Sequence, residues 1–255
     1  MSGKELQTID DVITELKHII VETELNGEPN GYFAVVYYKT TLKVKEKIGN
    51  DYFDDDQRME KLDVVFAKRY IDAYYWWKAN KRVSQSWESA FSFSQKKWPV
   101  VFQHLLMGMN AHINLDLGVA AAEISTRSTI YELRDDFYRI NEILSNMVDE
   151  VQNNLSVIWP PLKKILLKTG KLDNFMVDFS MQIAREGAWE YAQFLAPFSV
   201  EDRPAEIAGR DERVVLKTKL ITEPKWYIRL MFFIIRLGET DSVAEKIRKL
   251  KASVG

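Results

Sequence analysis

The segment from Val100 to Ala122 constrains the fold of this chain more than any other part of the sequence. It reads VVFQHLLMGMNAHINLDLGVAAA and contains no Lys, Arg or Glu and a single Asp. A helix that is apolar on most sides is normally buried by its neighbours. The same segment carries six polar side chains that would be costly inside a lipid bilayer, so it is not a convincing membrane span. We therefore expect a central helix, about residues 100–122, enclosed by other helices.

The rest of the chain is also typical of helices. Apolar residues recur at helical spacing in almost every segment, and Gly or Pro residues separate the segments. The credible strands are residues 33–38 and 214–220, and neither has a pairing partner at hairpin spacing. These patterns predict an all-α fold, a single-domain multi-helix bundle over residues 1–255. They leave open whether the C-terminal helices of residues 211–255 form a peripheral subregion.

The composition excludes several classes of protein. Basic and acidic side chains number 35 and 37, so a surface dedicated to nucleic acid is not expected. The absence of cysteine rules out disulfides, a thiolate nucleophile and Cys-ligated metals. The motifs of di-iron bundles, zinc proteases, P-loop enzymes and α/β-hydrolases are also missing. Residues 1–17 lack the apolar core of a signal peptide, and no segment predicts a transmembrane span, so we expect a cytoplasmic protein.

Polar side chains on the central helix form the candidate site. They are Gln103, His104, Asn110, His112, Asn114 and Asp116. At about 100° per residue, His112 and Asp116 lie one turn apart on one face, whereas Asn110 and Asn114 pair on the other side. His104 lies two turns before His112. An unpaired buried polar group costs roughly 1–3 kcal/mol, so each of these side chains needs a partner.

Three kinds of partner remain open for these groups. In a metal site, His112 and Asp116 would share a divalent ion, although the helix alone supplies too few ligands. In a metal-free site for a small, partly apolar molecule, His112 would be the acid–base group, Asp116 would orient it, and His104 and Asp63 would complete the polar wall. The third possibility is a hydrogen-bond network that only fixes the helix register. The leading hypothesis is an enzyme-like pocket, and the alternative is a non-catalytic binding or interaction protein.

A segment upstream of the central helix offers acidic partners for this site. Glu60 and Asp63 are three residues apart and therefore share a helix face. Asp63 stands next to the apolar run Val64-Val65-Phe66. If it turns inward it meets His104 or His112, and if it turns outward it pairs with Arg69 on the surface. The two orientations are equally compatible with the pattern.

Aromatic and basic residues could contribute to a ligand site. Tyr70 begins an aromatic run that forms either core packing or the wall of a pocket. Arg185 and Trp189, four residues apart, either hold an anionic group or brace the bundle, and the brace is favoured. The candidate ligand-binding residues are Asn110, Asn114, Glu60, Tyr70, Arg185 and Trp189.

The C-terminal segment 226–237, WYIRLMFFIIRL, is strongly apolar. With twelve residues it is too short to span a bilayer. Arg229 and Arg236 lie one heptad apart on one face. The segment is therefore predicted to be a core helix, with a membrane-surface contact or a homo-oligomer contact as alternatives.

Several stretches of the sequence carry a resemblance to a known family. They are GYFAVVY (31–37), FDDDQRMEKLDVVFAKRYIDA (53–73), Ser86-Trp87, QHLLMGMNAHINLDLG (103–118), DDFYRINEIL (135–144) and VDEVQNNL (148–155). Together they resemble a bacterial family catalogued only as a domain of unknown function, with a Gly-Met-Asn-Ala-His-Ile-Asn-x-Asp-Leu signature. The resemblance weakens beyond about Ala192. It implies an all-helical, intracellular protein and singles out His112, Asn114 and Asp116, but it implies no reaction.

Overall fold

The computed structural model describes residues 5–140, 142–143 and 181–252. In these ranges the regular elements are all helical, which confirms the predicted all-α class. The α-helices are α1 (Ile9–Asn26), α2 (Asn30–Lys47), α3 (Asp56–Lys78), α4 (Gln85–Ser94), α5 (Val101–Ala111), α6 (Leu117–Glu123), α7 (Met181–Leu195), α8 (Arg203–Thr222), α9 (Trp226–Gly238) and α10 (Val243–Ala252). A π-helix, His112–Asp116, joins α5 to α6, and a 3₁₀ helix, Ile130–Leu133, follows α6. The stretch 148–155 of the family resemblance lies outside the described ranges.

Local sequence signals set the ends of the first helices. The Thr8 hydroxyl accepts a bond from the Asp11 amide at 3.2 Å, and the Asp11 carboxylate accepts one from the Thr8 amide at 2.9 Å. This reciprocal capping box satisfies two amides at the start of α1. Gly27 ends the helix with φ 65°, a left-handed conformation that suits glycine. The two stretches with strand-like composition, 33–38 and 214–220, lie inside α2 and α8.

The predicted central helix is confirmed, with one correction. Every residue from 100 to 122 is buried except Met109, which is half-buried. α2, α4 and α8 pack on α5, and α3 and α7 pack on α6. The helix is not uninterrupted, however, because the π-helix His112–Asp116 separates α5 from α6. The polar segment of the sequence thus lies at the middle of the packing.

Carboxylates from distant parts of the chain cap four helix N-termini. Asp211 accepts bonds from the first two amides of α4 at 2.6 and 3.0 Å. Asp136 accepts from the two amides that precede α3 at 2.8 and 3.1 Å. Glu239 accepts from the first amide of α5 at 3.2 and 3.3 Å, and Glu60 from the first amide of α1 at 3.2 Å. Each carboxylate compensates the positive end of a helix dipole and ties two distant segments together.

The C-terminal helix packs back on the N-terminal pair. Ile247 and Leu250 of α10 are buried, and α10 contacts both α1 and α2. On the surface, Arg248 and Lys251 bond to Glu24 of α1 at 2.8 and 3.2 Å. Among the helices that the structure describes, none combines the length and the apolar composition needed to cross a bilayer.

Candidate functional site

A π-helical turn places three polar side chains inside the core. At its end the Leu117 amide bonds to the His112 carbonyl, five residues back instead of four. His112, Asn114 and Asp116 belong to this turn and are 2%, 3% and 1% exposed. Turns of this kind are rare and occur frequently at functional sites.

Asp116 is the centre of the hydrogen bonding in this turn. Its Oδ1 accepts a bond from Nε of Arg69 on α3 at 2.8 Å, and its Oδ2 accepts one from Nε1 of Trp87 on α4 at 2.8 Å. Oδ2 also lies 3.2 Å from Nδ1 of His112. Burial by itself raises the pKa of Asp116, but Arg69, His112 and Trp87 outweigh it and hold the pKa below its ordinary value. Asp116 is therefore a buried carboxylate with a compensated charge.

This carboxylate fixes the tautomer of His112. An ionised carboxylate only accepts hydrogen bonds, so Nδ1 of His112 carries a proton and donates it to Asp116. Burial lowers the pKa of His112 and outweighs the opposing effect of Asp116, so the ring is neutral at neutral pH. In this tautomer Nε2 has a lone pair and no proton. Nε2 is buried and has no hydrogen-bond partner among the described residues.

Aromatic rings from three helices enclose the His112 imidazole. Phe66 of α3 stacks on it, with ring centroids 3.7 Å apart and planes 8° apart. Tyr37 of α2 meets it edge-on at 4.5 Å. The remaining ring neighbours are Phe33 at 5.7 Å, Trp87 at 6.0 Å and Tyr70 at 6.1 Å. An apolar enclosure of this kind strengthens any electrostatic interaction made inside it.

Three more buried polar atoms in the same region lack a partner among the described residues. They are the hydroxyls of Tyr37 and Tyr70 and Oδ2 of Asp63. Burial raises the pKa of Tyr37, and the charges of Asp63 and Asp116 raise it further. Asp63, Phe66 and Tyr70 are three and four residues apart and therefore share one face of α3. Burial also raises the pKa of Tyr70. Both hydroxyls are therefore neutral and able to donate a hydrogen bond to a guest.

Asp63 has the inward orientation of the two that the sequence left open. It is 4% exposed, whereas Arg69 bonds to Asp116. Burial, together with the charge of Glu60, raises the pKa of Asp63 to about 7. A carboxyl group of this kind is partly protonated at neutral pH and can give or take a proton there.

Two adjoining cavities lead from the surface towards this cluster. The larger is a groove of about 880 Å³ between the α1–α2 turn, the α4–α5 loop and the start of α10. A cavity of about 20 Å³ shares His104 and three other lining residues with the groove. Its further lining includes Phe33, Tyr70 and Trp87, whose rings are neighbours of His112. The imidazole therefore lies one layer of aromatic rings beyond a space the size of one water.

His104 lies at the entrance and not in the Asp116 network. It lines both cavities, and its ring centroid is 5.8 Å from Tyr32 and 5.4 Å from Phe93. Burial and then the charge of Lys246 lower the pKa of His104 to about 4, so the ring is neutral. Its Nδ1 is buried without a partner among the described residues.

Comparison with protein families and known proteins places the chain in a family. The model of a family of unknown function, DUF5995, matches residues 9–224. The chain belongs to this family. The match covers the whole His112 cluster and confirms the resemblance drawn from the residues. No curated protein and no solved structure matches the chain.

Asn110 and Asn114, inside the DUF5995 match, face α8, and each of their side-chain nitrogens and oxygens has a protein partner. Nδ2 of Asn110 donates to the Val214 carbonyl at 3.1 Å, and Nδ2 of Asn114 donates to Oδ1 of Asn110 at 3.2 Å. Lys217 donates to Oδ1 of Asn114 at 2.7 Å, and Arg210 donates to the backbone carbonyl of Asn114 at 3.0 Å. These bonds tie α5 and the π-helix to α8.

The other predicted ligand-binding residues are spread over the structure. Tyr70 belongs to the His112 cluster. Glu60 bonds to the start of α1. Arg185 and Trp189 are buried on α7, where the Trp189 ring lies 5.0 Å from Phe137. The structure thus brings together Asp63, Tyr70, His112 and Asp116 and leaves the rest outside this cluster.

The donor set gives little support to the predicted metal-ligand role of His112 and Asp116. Within the described ranges, no group of three or more His, Asp and Glu side chains is arranged to hold a metal ion. Nδ1 of His112 and Oδ2 of Asp116 bond to each other. The pair therefore fits an oriented acid–base group better than a metal site.

The four residues that bond to Asp116 from other helices or lie closest to the His112 ring come from outside the central helix and escape reasoning from its pattern. They are Tyr37, Phe66, Arg69 and Trp87. A signal for them does exist, because all four lie in the short stretches that carry the DUF5995 resemblance. The spacing of residues on one helix cannot show which other helices supply its partners.

Proposed function

We propose that this protein catalyses proton transfer next to the carbonyl group of a small, partly apolar molecule, with His112 as the general base. The observation that carries the proposal is the lone pair on Nε2 of His112. It is buried and unpartnered in the described structure, while Asp116 holds Nδ1. A neutral imidazole oriented by a carboxylate is a common arrangement for an enzymatic base.

The neighbouring groups supply the other functions that such a reaction needs. Asp116 stabilises the imidazolium that forms when Nε2 takes a proton, because its carboxylate bonds to Nδ1. The neutral hydroxyls of Tyr37 and Tyr70 can donate to the oxygen that becomes negative. Asp63, with a pKa of about 7, can donate a proton to the enolate in place of the one held by His112, and proton exchange with water then resets both groups. A base, hydroxyl donors and a protonated carboxyl in an apolar enclosure suit the formation and decay of an enolate.

From the groove, a guest passes the aromatic layer to reach Nε2, and a second cavity of about 240 Å³ adjoins the cluster on the other side, lined by Arg69, Trp87 and Asp116. The cavity of about 20 Å³ has room for a single water, so a larger molecule enters only when neighbouring rings move. Phe33, Tyr70 and Trp87 line that cavity and surround the imidazole. The groove of about 880 Å³ is large enough to receive the molecule before this step.

The test follows the incorporation of solvent deuterium into carbonyl compounds. The protein is incubated in D₂O with a panel of small ketones and aldehydes, and proton NMR measures the loss of signal at the carbon beside the carbonyl. We expect exchange in at least one compound, and His112→Gln and Tyr70→Phe to lower its rate, the former about 10²-fold or more. His18→Gln is the matched control, because the His18 side chain is 57% exposed on α1.

A purely structural role of the His112 cluster is the second candidate. It is favoured by the hydrogen bonds of Asp116, whose two oxygens already bond to Arg69, Trp87 and His112. Thermal melts of the same variants separate the two. Exchange that disappears in folded His112→Gln supports the enzyme. If the panel shows no exchange above the level of His112→Gln, while that variant is markedly less stable, the cluster is a structural network.

A further inference from the structure

α9 carries apolar side chains on two opposite faces. Ile228, Met231, Phe232 and Ile235 are buried against the rest of the protein. Trp226, Leu230, Phe233 and Leu237 are 76%, 52%, 48% and 62% exposed. They are four, three and four residues apart, so at about 100° per residue they form one line along the helix, the α9 stripe. Exposed apolar surface of this extent usually marks a contact with another molecule.

The loop before α5 extends this surface with a second exposed tryptophan. Trp98 is 67% exposed, and its ring lies 6.2 Å from that of Phe233, with the planes 20° apart. Arg236 holds the loop in place, because Nε and Nη2 donate to the Lys97 carbonyl at 3.4 and 3.3 Å. Tryptophan is common at the interface between lipid and water, because its ring is largely apolar and its indole N–H is polar.

The charged side chains of α9 itself have one sign, and the exposed Glu223 lies three residues before it. Residues 224–238 include Lys225, Arg229 and Arg236 and no Asp or Glu. Lys96 and Lys97 precede Trp98 and are exposed. At about 100° per residue, Arg229 and Arg236, the two basic residues of α9, lie along the same side of the stripe, and Lys225 stands just before the helix. An apolar line with a basic margin is complementary to anionic lipid headgroups.

The same pattern disfavours a second copy of this chain as the occupant. A two-fold contact would place the stripe against itself, because such interfaces use the same patch on both subunits. Arg229 of both copies would then approach the same interface, with no carboxylate on either α9 to pair with it. Like charges across an interface oppose association.

We propose that the α9 stripe docks the protein on the surface of an anionic lipid bilayer. Trp98 and Trp226 then lie at headgroup depth, and the basic margin faces the anionic headgroups. α9 has 13 residues and is therefore about 20 Å long, less than the roughly 30 Å of a bilayer core, so it lies along the surface. The four residues of the stripe line neither the groove nor the small cavity, so the proposal does not depend on the proton-transfer reaction.

Vesicle cosedimentation of the full-length chain tests the proposal. With about 30 mol% phosphatidylglycerol in phosphatidylcholine, we expect the bound fraction to correspond to at least about tenfold tighter partitioning than with phosphatidylcholine alone. About 0.5 M NaCl should remove most of this gain. The variant Leu230→Ser/Phe233→Ser should weaken partitioning at least about tenfold. Leu25→Ser is the matched control, because Leu25 is 81% exposed on α1.

Arg229→Glu tests the basic margin while the apolar stripe stays intact, and its partitioning is measured in the same way. Circular dichroism melts check that each variant folds. Weaker partitioning of both stripe variants, with Leu25→Ser unchanged, supports the proposal. Equal partitioning of wild type and both stripe variants overturns it. A dimer in light scattering that Leu230→Ser/Phe233→Ser dissociates would also overturn it and identify a second copy as the occupant.

Discussion

Asp63 is a carboxyl group that the fold keeps protonated up to neutral pH. Its pKa rises from 3.8 to about 7, mainly through burial. Between these two values the unfolded chain releases this proton while the folded chain retains it, so the contribution of Asp63 to stability falls as the pH rises from about 4 to 7 and then levels off. Asp63→Asn should remove this contribution and make the protein more stable than the wild type at pH 8 by on the order of 3 kcal/mol.

Urea unfolding at pH 5 and pH 8 measures this effect directly. Asp135→Asn, at an exposed position, provides the comparison and should leave the wild-type dependence unchanged. Equal pH dependence in wild type and Asp63→Asn would show that Asp63 is ionised in the folded protein throughout this range. If Asp63→Asn stabilises the protein, the carboxyl group of Asp63 lowers the stability of the wild type, as is usual for functional groups.

Trp87 tests how strongly the Asp116 carboxylate depends on its donors. Trp87→Phe keeps most of the ring packing but removes the indole N–H that donates to Oδ2 at 2.8 Å. Bonds to charged groups contribute about 1.5–3 kcal/mol, and we expect a loss of stability in that range. Trp226→Phe, on an exposed face of α9, should change the unfolding free energy by less than about 0.5 kcal/mol. Chemical denaturation measures the free energy of unfolding of both variants. Equal losses in the two would show that the indole N–H of Trp87 contributes nothing special to the stability.

The two members of the site that the sequence predicts best are those whose geometry is local. His112 and Asp116 are four residues apart on one helical segment, so their contact follows from helical spacing. Arg69 and Trp87 lie 47 and 29 residues from Asp116 and reach it only because α3 and α4 pack beside α6 and α5. Their role depends on tertiary packing, which residue spacing does not contain.

At the level of helices, apolar periodicity predicts most elements and fails where a local rule is broken. The run of β-branched and aromatic residues at 33–38 favours a strand, yet it lies within α2, where burial of residues 33–37 in the helical core overrides the strand propensity. The π-helix His112–Asp116 is invisible to the same reasoning, since its spacing departs from the helical period for one turn only.

Gly118 shows how closely two of these helices pack. A Cβ at this position would lie 2.6 Å from the Ala188 carbonyl of α7, a backbone atom that cannot turn aside. Gly118→Ala should therefore lower the free energy of unfolding by about 1–3 kcal/mol, although alanine favours helices more than glycine does. Gly209→Ala on α8 is the matched control, because the nearest atom to a Cβ there is 3.9 Å away, and it should gain about 0.5–1 kcal/mol. Opposite signs in thermal melts are expected; a gain in both would refute the close approach.

On the scale of the whole molecule, four carboxylates join helices that are distant in sequence. Local caps such as Thr8 can be recognised from residue type and position. The long-range caps cannot, because Asp211 and Glu239 reach the starts of α4 and α5 from 126 and 138 residues away. The order of helices is thus more predictable than the contacts that hold them together.

The segment after Thr222 matters for stability although the DUF5995 match ends at residue 224. It supplies Glu239, which caps the start of the central helix, and Ile247, which is fully buried against the N-terminal helices. Losing one large buried aliphatic side chain costs about 2–5 kcal/mol, which approaches the 5–15 kcal/mol by which domains are stable. A chain truncated after residue 224 should therefore fail to unfold cooperatively in a calorimetric scan.

In the full chain, Ile247→Ala should lower the free energy of unfolding by about 2–5 kcal/mol, and Leu237→Ala, on the exposed face of α9, should leave it almost unchanged. A truncated chain with wild-type stability would show that residues 9–224 fold alone, contrary to the prediction of a single domain over 1–255.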